Sequence, residues 1–103
     1  MRSSRIKKYR IVLSELAELD IADILQYTLE KWGEAQMDAY ATKLERGLRV
    51  LETQPHLGKP RDAWYEGCRC YSVERHLVLY ELIEQEIRVA RIFNQRFDVP
   101  RHL

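Results

Sequence analysis

The segment HLVLYELI, residues 76–83, decides the fold, because it is apolar on both of its alternating faces. A strand with both faces covered belongs in the middle of a sheet. The neighbouring segments CRCYSV (68–73) and IRVARIF (87–93) are also typical of strands, and only short turns separate the three. We therefore expect an antiparallel meander with residues 76–83 at its centre.

Two amphipathic helices are predicted before the meander. Ser14 is a plausible N-cap for residues 15–32, and Gly33 can end that helix in a left-handed conformation. The predicted buried side of the first helix consists of Ala17, Ile21, Ile24, Leu25, Thr28 and Trp32. The second helix starts near Glu34, with a stripe of Met37, Tyr40, Ala41, Leu44, Gly47, Leu48 and Leu51. The short break between the helices predicts an antiparallel hairpin.

Two positions on these helices carry further predictions. Gly47 lies on the buried stripe of the second helix, so we expect close approach of the first helix there. Leu19 lies on the side of the first helix opposite to the buried stripe, together with Asp23, Gln26 and Glu30. An apolar residue in that position is usually harmless, but it is also a candidate contact for a partner.

The chain is predicted to be a single domain, residues 1–103, of the α+β class. Residues 9–13, YRIVL, alternate as a short strand that joins the sheet of the meander. The order is β-α-α-β-β-β, with the helical hairpin packed on one face of a small, mainly antiparallel sheet.

The stretch QPHLGKPRD, residues 54–62, is predicted to be a connection between helix and sheet. Pro55 ends the second helix, Gly58 turns the chain and Pro60 fixes the approach to the sheet. With one glycine and no Gly-Lys-Ser/Thr pattern after it, the stretch does not match a phosphate-binding loop.

Composition excludes several classes of protein. Of 103 residues, 46% are hydrophobic and 32% are charged, which is ordinary for a globular domain. There is no apolar run of membrane-spanning length and no signal-peptide core, so we expect a cytoplasmic protein without a membrane partner. Residues 15–52 hold nine acids and four bases, whereas the remainder holds seven acids and thirteen bases. Such an uneven distribution of charge can direct the basic part of the protein to a polyanion or an acidic partner. The alternative is that the charges merely keep two faces soluble.

Candidate catalytic and metal-binding residues are few. The four serines have no nucleophile context, and His56, His76 and His102 are too scattered to predict a metal site. Cys68 and Cys70 point to one face of a strand and are best interpreted as small apolar fillers, without a disulfide. We therefore predict no cofactor, no metal and no catalytic group.

The arginines are stronger candidates for a functional site than the serines, histidines and cysteines. Arg61, Arg69, Arg91 and Arg96 all lie in or beside the predicted strands. A sheet can gather such side chains on its exposed face, where they would bind phosphate or carboxylate groups. The alternative is that they are solvated strand residues.

The order of elements and five segments together resemble the RelE/ParE superfamily of bacterial toxins, and most closely its ParE branch. The segments are LSELAELDIADILQY (13–27), WGEAQ (32–36), QPHLGKPRD (54–62), GCRCYSVERHLVLYEL (67–82) and RIFNQRFD (91–98). The chain departs from the pattern at Asn94, where many members have histidine, while Arg96 and Asp98 are retained.

This resemblance implies a toxin of a type II toxin–antitoxin system. ParE-type members inhibit DNA gyrase by binding it, and RelE-type members cut messenger RNA on the ribosome. RNA cleavage needs a proton-transfer group, and only Tyr71 or His102 is a candidate for it here. We therefore expect a gyrase inhibitor that is not an enzyme; the alternatives are a ribosome-dependent RNase and a non-toxic antitoxin-binding module.

The resemblance also implies a ParD-like antitoxin that is disordered alone and wraps the toxin, with a helix on the helical hairpin and a strand at a sheet edge. Contact with nucleic acid would be indirect, through gyrase or the antitoxin complex. The predicted exposed apolar contacts are Leu19, Val50 and Trp64, although Trp64 can equally pack its loop against the body. Arg61, Arg69, Arg91 and Arg96 are the predicted polar contacts.

Overall fold

Two helices cover one face of a five-stranded mixed sheet in the computed structural model, which describes residues 8–96. The elements are β1 (Arg10–Leu13), α1 (Glu15–Trp32), α2 (Glu34–Thr53), β2 (Lys59–Pro60), β3 (Arg69–Val73), β4 (His76–Ile83) and β5 (Glu86–Asn94). The strand order is β1-β5-β4-β3-β2, with β1 parallel to β5 and the other pairs antiparallel. The predicted α+β class and the predicted meander are confirmed, and only the two-residue strand β2 was not predicted.

The central position of β4 is confirmed by its burial, because Val78, Leu79 and Tyr80 are consecutive and fully buried. Successive side chains of a strand point to opposite faces, so both faces of the sheet must be covered here. Val78 and Tyr80 belong to the main core beneath the helices. Leu79 belongs to a smaller core on the opposite face, which it shares with Cys68 and Phe93.

The bounds of both helices agree with the prediction, because the signals that set them are local. The Ser14 hydroxyl accepts the Ala17 N–H at 2.9 Å, and Gly33 has a φ of 93° between the helices. Trp32, however, is 65% exposed, so its predicted burial was wrong. The side chains of α1 that meet the main core are Ala17, Ile21 and Ile24, and the last turn does not reach it.

Gly47 does allow a close approach, but of strand β3 rather than of α1. A Cβ atom at this position would lie 2.5 Å from Cγ1 of Val73, which is far closer than van der Waals contact. The prediction that α1 explains this glycine was therefore wrong. The missing side chain lets α2 lie directly on the β3 end of the sheet.

The 54–62 stretch is a turn fixed by a buried hydroxyl. Tyr80 Oη accepts the Gly58 N–H at 2.9 Å and donates to the Pro55 carbonyl at 2.7 Å. A Cβ atom on Gly58 would lie 2.6 Å from the same oxygen, so this approach requires glycine. Lys59 and Pro60 then pair with β3 at the edge of the sheet, where a proline is tolerated.

The N-terminal half of α1 covers the part of β5 that β1 leaves unpaired. β1 pairs only with residues 86–89 of the nine-residue strand β5. Beyond them, the Ser14 hydroxyl donates to the Ala90 carbonyl at 2.7 Å, and Asp20 Oδ2 accepts the Ile92 N–H at 2.9 Å. The side chains of Ser14, the N-cap of α1, and of Asp20 thus complete the hydrogen bonding of this strand edge.

A β-bulge in the β4–β5 pair determines which way Arg91 points. Tyr80 lies opposite Val89, but Leu79 lies opposite Arg91, so Ala90 is an extra residue in β5. In a regular register Arg91 would lie opposite Val78, on the helix-covered face. The bulge instead places Arg91 opposite Leu79, on the other face of the sheet.

Candidate functional site

The structure does not gather the predicted arginines on one face of the sheet. Arg69 lies opposite Tyr80, on the face covered by the helices, whereas Arg91 lies opposite Leu79, on the other face. The prediction of a common exposed face was therefore wrong for this pair. The reason is that the register of a strand determines on which face of the sheet a side chain lies, and the bulge in β5 changes the register before Arg91.

Arg91 is engaged within the fold. Its Nε and Nη2 donate to the two carboxylate oxygens of Asp20 at 2.8 and 2.9 Å, and its guanidinium lies 4.6 Å from the centroid of the Phe93 ring. The hydrogen bonds that Arg91 donates to the Asp20 carboxylate raise the pKa of Arg91 above its ordinary value. The side chain is only 27% exposed, so a partner would have to compete with Asp20 for it.

Arg69 holds the turn after α2. Its Nη1 donates to the Gly58 carbonyl at 2.6 Å and to the His56 carbonyl at 3.2 Å. Because these carbonyls have no place in a helix or strand ladder, the guanidinium satisfies them and fixes the turn. Arg69 is therefore a structural residue of the 54–62 stretch in the free protein.

Arg61 and Arg96 remain exposed. The guanidinium of Arg61 lies 5.8 Å from the centroid of the Trp64 ring, and its Nη1 donates to the Pro60 carbonyl at 3.2 Å. The backbone N–H of Arg96 donates to Asn94 Oδ1 at 2.9 Å. Of the four predicted arginines, these two are the ones available for contact with another molecule.

The three predicted apolar contacts differ in exposure. Leu19 is 60% exposed, as predicted. Trp64 is half-buried and packs against the smaller core, so its loop covers the face of the sheet opposite to the helices. Val50 is also half-buried and lines a groove between α2 and β3. The predicted exposure of Val50 and Trp64 was therefore wrong, and the alternative reading of Trp64 is confirmed.

Leu19 belongs to an exposed apolar strip on α1 that sequence reasoning did not complete. Leu16 and Tyr27 are 53% and 59% exposed and lie on the same side of the helix as Leu19. We call Leu16, Leu19 and Tyr27 the α1 strip. Acidic residues lie within and beside the strip, namely Glu15, Asp23 and Glu30. The positions 16, 19, 23 and 27 follow helical spacing, and this signal could have identified the strip from the sequence.

The candidate proton-transfer residues do not form a cluster within residues 8–96. Tyr71 is half-buried and packs against the main core, while His102 lies outside the described residues. His76 bonds the Tyr40 hydroxyl through Nδ1, and burial lowers the pKa of its ring. His56 is exposed.

The cysteines lie on the face of the sheet that bears the smaller core. Cys68 is buried, Cys70 is half-buried, and burial raises the pKa of both thiols. The Tyr65 side chain packs in the same cluster. The part of the chain from residue 8 to 96 contains no group of acidic, histidine or cysteine side chains suited to a metal ion. Neither of its two long helices is apolar enough to cross a membrane.

Comparison with known proteins gives a consistent result. Residues 11–99 match the family model described as "ParE toxin of type II toxin-antitoxin system, parDE". The chain is 30% identical over 95 residues to Toxin ParE1 of Mycobacterium tuberculosis, and this alignment covers 91% of this chain and 97% of that protein.

Two solved structures share the fold. One is described as the chromosomal ParDE TA system from P. aeruginosa, with a TM-score of 0.73 and 16% identity over 84% of this chain and 95% of the other. The second is the toxin–antitoxin complex RelBE2 from Mycobacterium tuberculosis, with a TM-score of 0.61 and 16% identity over 84% of this chain and 98% of the other. At this identity the likeness concerns the fold alone.

Proposed function

Because the chain belongs to the ParE toxin family of type II toxin–antitoxin systems, we propose that it inhibits DNA gyrase in the cytoplasm by protein–protein binding and is neutralised by a ParD-like antitoxin. The family membership supplies the toxin class. The target and the antitoxin type are the parts that we propose.

The α1 strip is the observation that carries the binding function. Leu16, Leu19 and Tyr27 are each more than half exposed on one side of a helix whose other side is packed on the core. Apolar side chains at helical spacing on a surface are suited to contact with a second amphipathic helix. We assign this strip to a helical segment of the antitoxin, with apolar residues facing the strip and basic residues near Glu15 and Asp23.

The distribution of the arginines also favours binding over RNA cleavage. A phosphate in a cleavage transition state needs several positive groups within one site. Arg69 and Arg91 lie on opposite faces of the sheet, and the guanidinium of Arg91 is already hydrogen-bonded to the Asp20 carboxylate. Arg61 and Arg96 are exposed and can instead contact acidic residues of a protein partner.

A gyrase assay tests the proposed target. The purified chain, added in micromolar excess to gyrase and relaxed plasmid, is expected to reduce supercoiling or to trap cleaved DNA. Pre-incubation with the ParD-like antitoxin should restore supercoiling. Unchanged supercoiling at micromolar excess would contradict gyrase as the target.

The same protein should leave messenger RNA intact in a translating extract. Codon-specific cleavage that is lost in Arg61→Ala would replace the proposal with a ribosome-dependent RNase. Growth that is unaffected by expression of the chain alone would replace it with a non-toxic antitoxin-binding module.

A further inference from the structure

The end of the helical hairpin stands away from the sheet. On α1 the last side chain that packs against the main core is Ile24, and on α2 the first side chain that bonds a strand is Tyr40, through His76. Residues 28–39 lie between these two anchors, and we call them the hairpin tip. The structure describes all of them, and none belongs to either hydrophobic core or has a side chain hydrogen-bonded to a strand.

Trp32 is the most prominent apolar side chain of the hairpin tip. At 65% it has the highest exposed fraction of any large hydrophobic residue in the part of the chain that the structure describes. The residue after it, Gly33, is also in the open, because a Cβ atom there would meet nothing within 4 Å beyond its neighbours in the chain. Tryptophan is among the residue types most enriched at the energetic centres of protein interfaces. An indole in this position is therefore suited to enter a pocket of a partner.

The indole lies on a different side of α1 from the α1 strip. Five residues separate Trp32 from Tyr27, the last residue of the strip, which corresponds to a rotation of about 140° around the helix. Trp32 instead follows Ile24 at an interval of eight residues, on the side of the helix that packs on the core further back. An antitoxin helix on the strip would leave the indole uncovered, but it would lie close enough to keep a large enzyme away by its bulk.

The charges of the hairpin tip are mainly acidic. Glu30, Glu34 and Asp38 are exposed, and Lys31 is the one basic residue between positions 28 and 39. Three acids and one base give this surface a net charge of −2. Such a surface is complementary to a partner that presents basic residues around an apolar pocket.

The proposed target has this chemistry, because an enzyme that acts on DNA carries positive potential where it binds the phosphate backbone. We propose that the hairpin tip is the part of this chain that binds gyrase. Trp32 enters an apolar pocket, and the acidic residues of the tip contact basic residues beside the DNA-binding surface. This inference rests on the proposed function and assigns its target contact to a surface other than the α1 strip.

The test compares Trp32→Ala with the wild-type chain in a titration of gyrase supercoiling on relaxed plasmid. We expect half-maximal inhibition to require about tenfold or more of the variant, because the side chain assigned to the pocket is removed. Leu57→Ala is the matched control, since Leu57 is 45% exposed in the loop after α2, and it should inhibit as the wild type does. Because Trp32 has no core contact, Trp32→Ala should keep its circular dichroism spectrum and its affinity for the proposed antitoxin.

Charge variants test the acidic residues independently of the indole. Glu34→Lys with Asp38→Lys should weaken inhibition about tenfold or more at low salt, and the difference should shrink as the salt concentration is raised. Glu66→Lys with Glu84→Lys makes the same change in net charge at exposed positions outside the helices. This control should inhibit as the wild type does.

The outcomes separate this inference from the proposed function. If the wild-type chain neither binds gyrase nor reduces supercoiling, the proposed target is wrong and the assignment of the hairpin tip falls with it. If the wild type inhibits gyrase and a folded Trp32→Ala inhibits it at the same concentration, the target stands and the hairpin tip is excluded as its contact. Equal inhibition by the Glu34→Lys, Asp38→Lys variant and its charge control would likewise overturn the contact with a basic surface.

Discussion

Asp20 of α1 accepts hydrogen bonds from Nε and Nη2 of Arg91 on β5, and its Oδ2 also accepts the Ile92 N–H at 2.9 Å. One carboxylate thus joins the first helix to the last strand where β1 no longer pairs with it. The Asp20 side chain is 13% exposed, so water replaces little of this bonding when the carboxylate is removed.

The first prediction concerns this carboxylate. Asp20→Ala should lower the free energy of unfolding by about 2–3 kcal/mol, because it leaves a mostly buried guanidinium and a backbone N–H without their acceptor. Urea unfolding of the two proteins measures the difference. Arg88→Ala is the matched control, since Arg88 pairs with Glu86 on the surface, and it should cost less than about 1 kcal/mol. Equal losses in the two variants would contradict this account.

The second prediction concerns the turn after α2. Tyr80→Phe should cost about 1–3 kcal/mol of stability, because the Gly58 N–H and the Pro55 carbonyl lose their shared partner inside the protein. Tyr27→Phe removes the same hydroxyl from an exposed side chain and should change stability by less than about 0.5 kcal/mol. Thermal unfolding of both variants measures the effect, and a stable Tyr80→Phe protein would show that the hydroxyl is dispensable.

The third prediction concerns the contact of α2 with β3. Alanine normally stabilises a helix relative to glycine by about 1 kcal/mol. Gly47→Ala should nevertheless destabilise this protein by about 1–3 kcal/mol, because the new methyl group overlaps Val73.

Val73→Ala provides the control for that overlap. It opens space beneath the helix, so the double variant Gly47→Ala, Val73→Ala should be more stable than the sum of the two single effects predicts. Urea unfolding of the four proteins measures this coupling. Strict additivity would mean that the two residues do not compete for the same space.

Features governed by local signals were predictable from the sequence. Ser14 and Gly33 mark the ends of α1, and the alternation in residues 76–83 indicates a central strand, so the helices and the meander were predicted correctly. The family could also be recognised from the sequence, because its motifs occur in the expected order along nearly the whole chain.

Features that depend on distant pairing were not predictable. The direction of Arg91 depends on an extra residue in β5, and a bulge leaves no clear signal in a single strand. The approach of Gly47 to Val73 likewise depends on how α2 lies across the sheet. The α1 strip was a different kind of omission, since Leu16 and Tyr27 share the helical spacing of Leu19 and could have been included.

The fourth prediction concerns pH. Burial lowers the pKa of His76 below its ordinary value near 6.5, and its Nδ1 bonds the Tyr40 hydroxyl. As the pH falls through about 6.5, the unfolded chain takes up a proton at this residue before the folded chain does, so stability falls with it. The loss continues until the pH reaches the lower pKa of the folded state.

Stability curves of two proteins test this mechanism. Between pH of about 7.5 and about 5.5 the wild-type chain should lose more unfolding free energy than His76→Asn, which cannot titrate in that range. Urea unfolding at several pH values measures both slopes. Identical slopes would mean that His76 contributes nothing to the acid sensitivity of the fold.

The fifth prediction concerns the α1 strip and rests on the proposed antitoxin. Leu16→Glu with Leu19→Glu should change the unfolding free energy by less than about 0.5 kcal/mol per site, because both side chains are more than half exposed. The same change places two carboxylates in the assigned contact, beside Glu15 and Asp23, and should weaken antitoxin binding about a hundredfold or more. Co-expression with the proposed ParD-like antitoxin should then no longer restore growth.

Leu57→Glu is the matched control for the strip, because Leu57 is 45% exposed in the loop after α2 and lies outside α1. It introduces the same charge at a comparable surface position, so the antitoxin should still bind it and restore growth. Calorimetric titration of the antitoxin into the three proteins separates binding from toxicity. Normal antitoxin affinity in the folded double variant would exclude α1 as the contact.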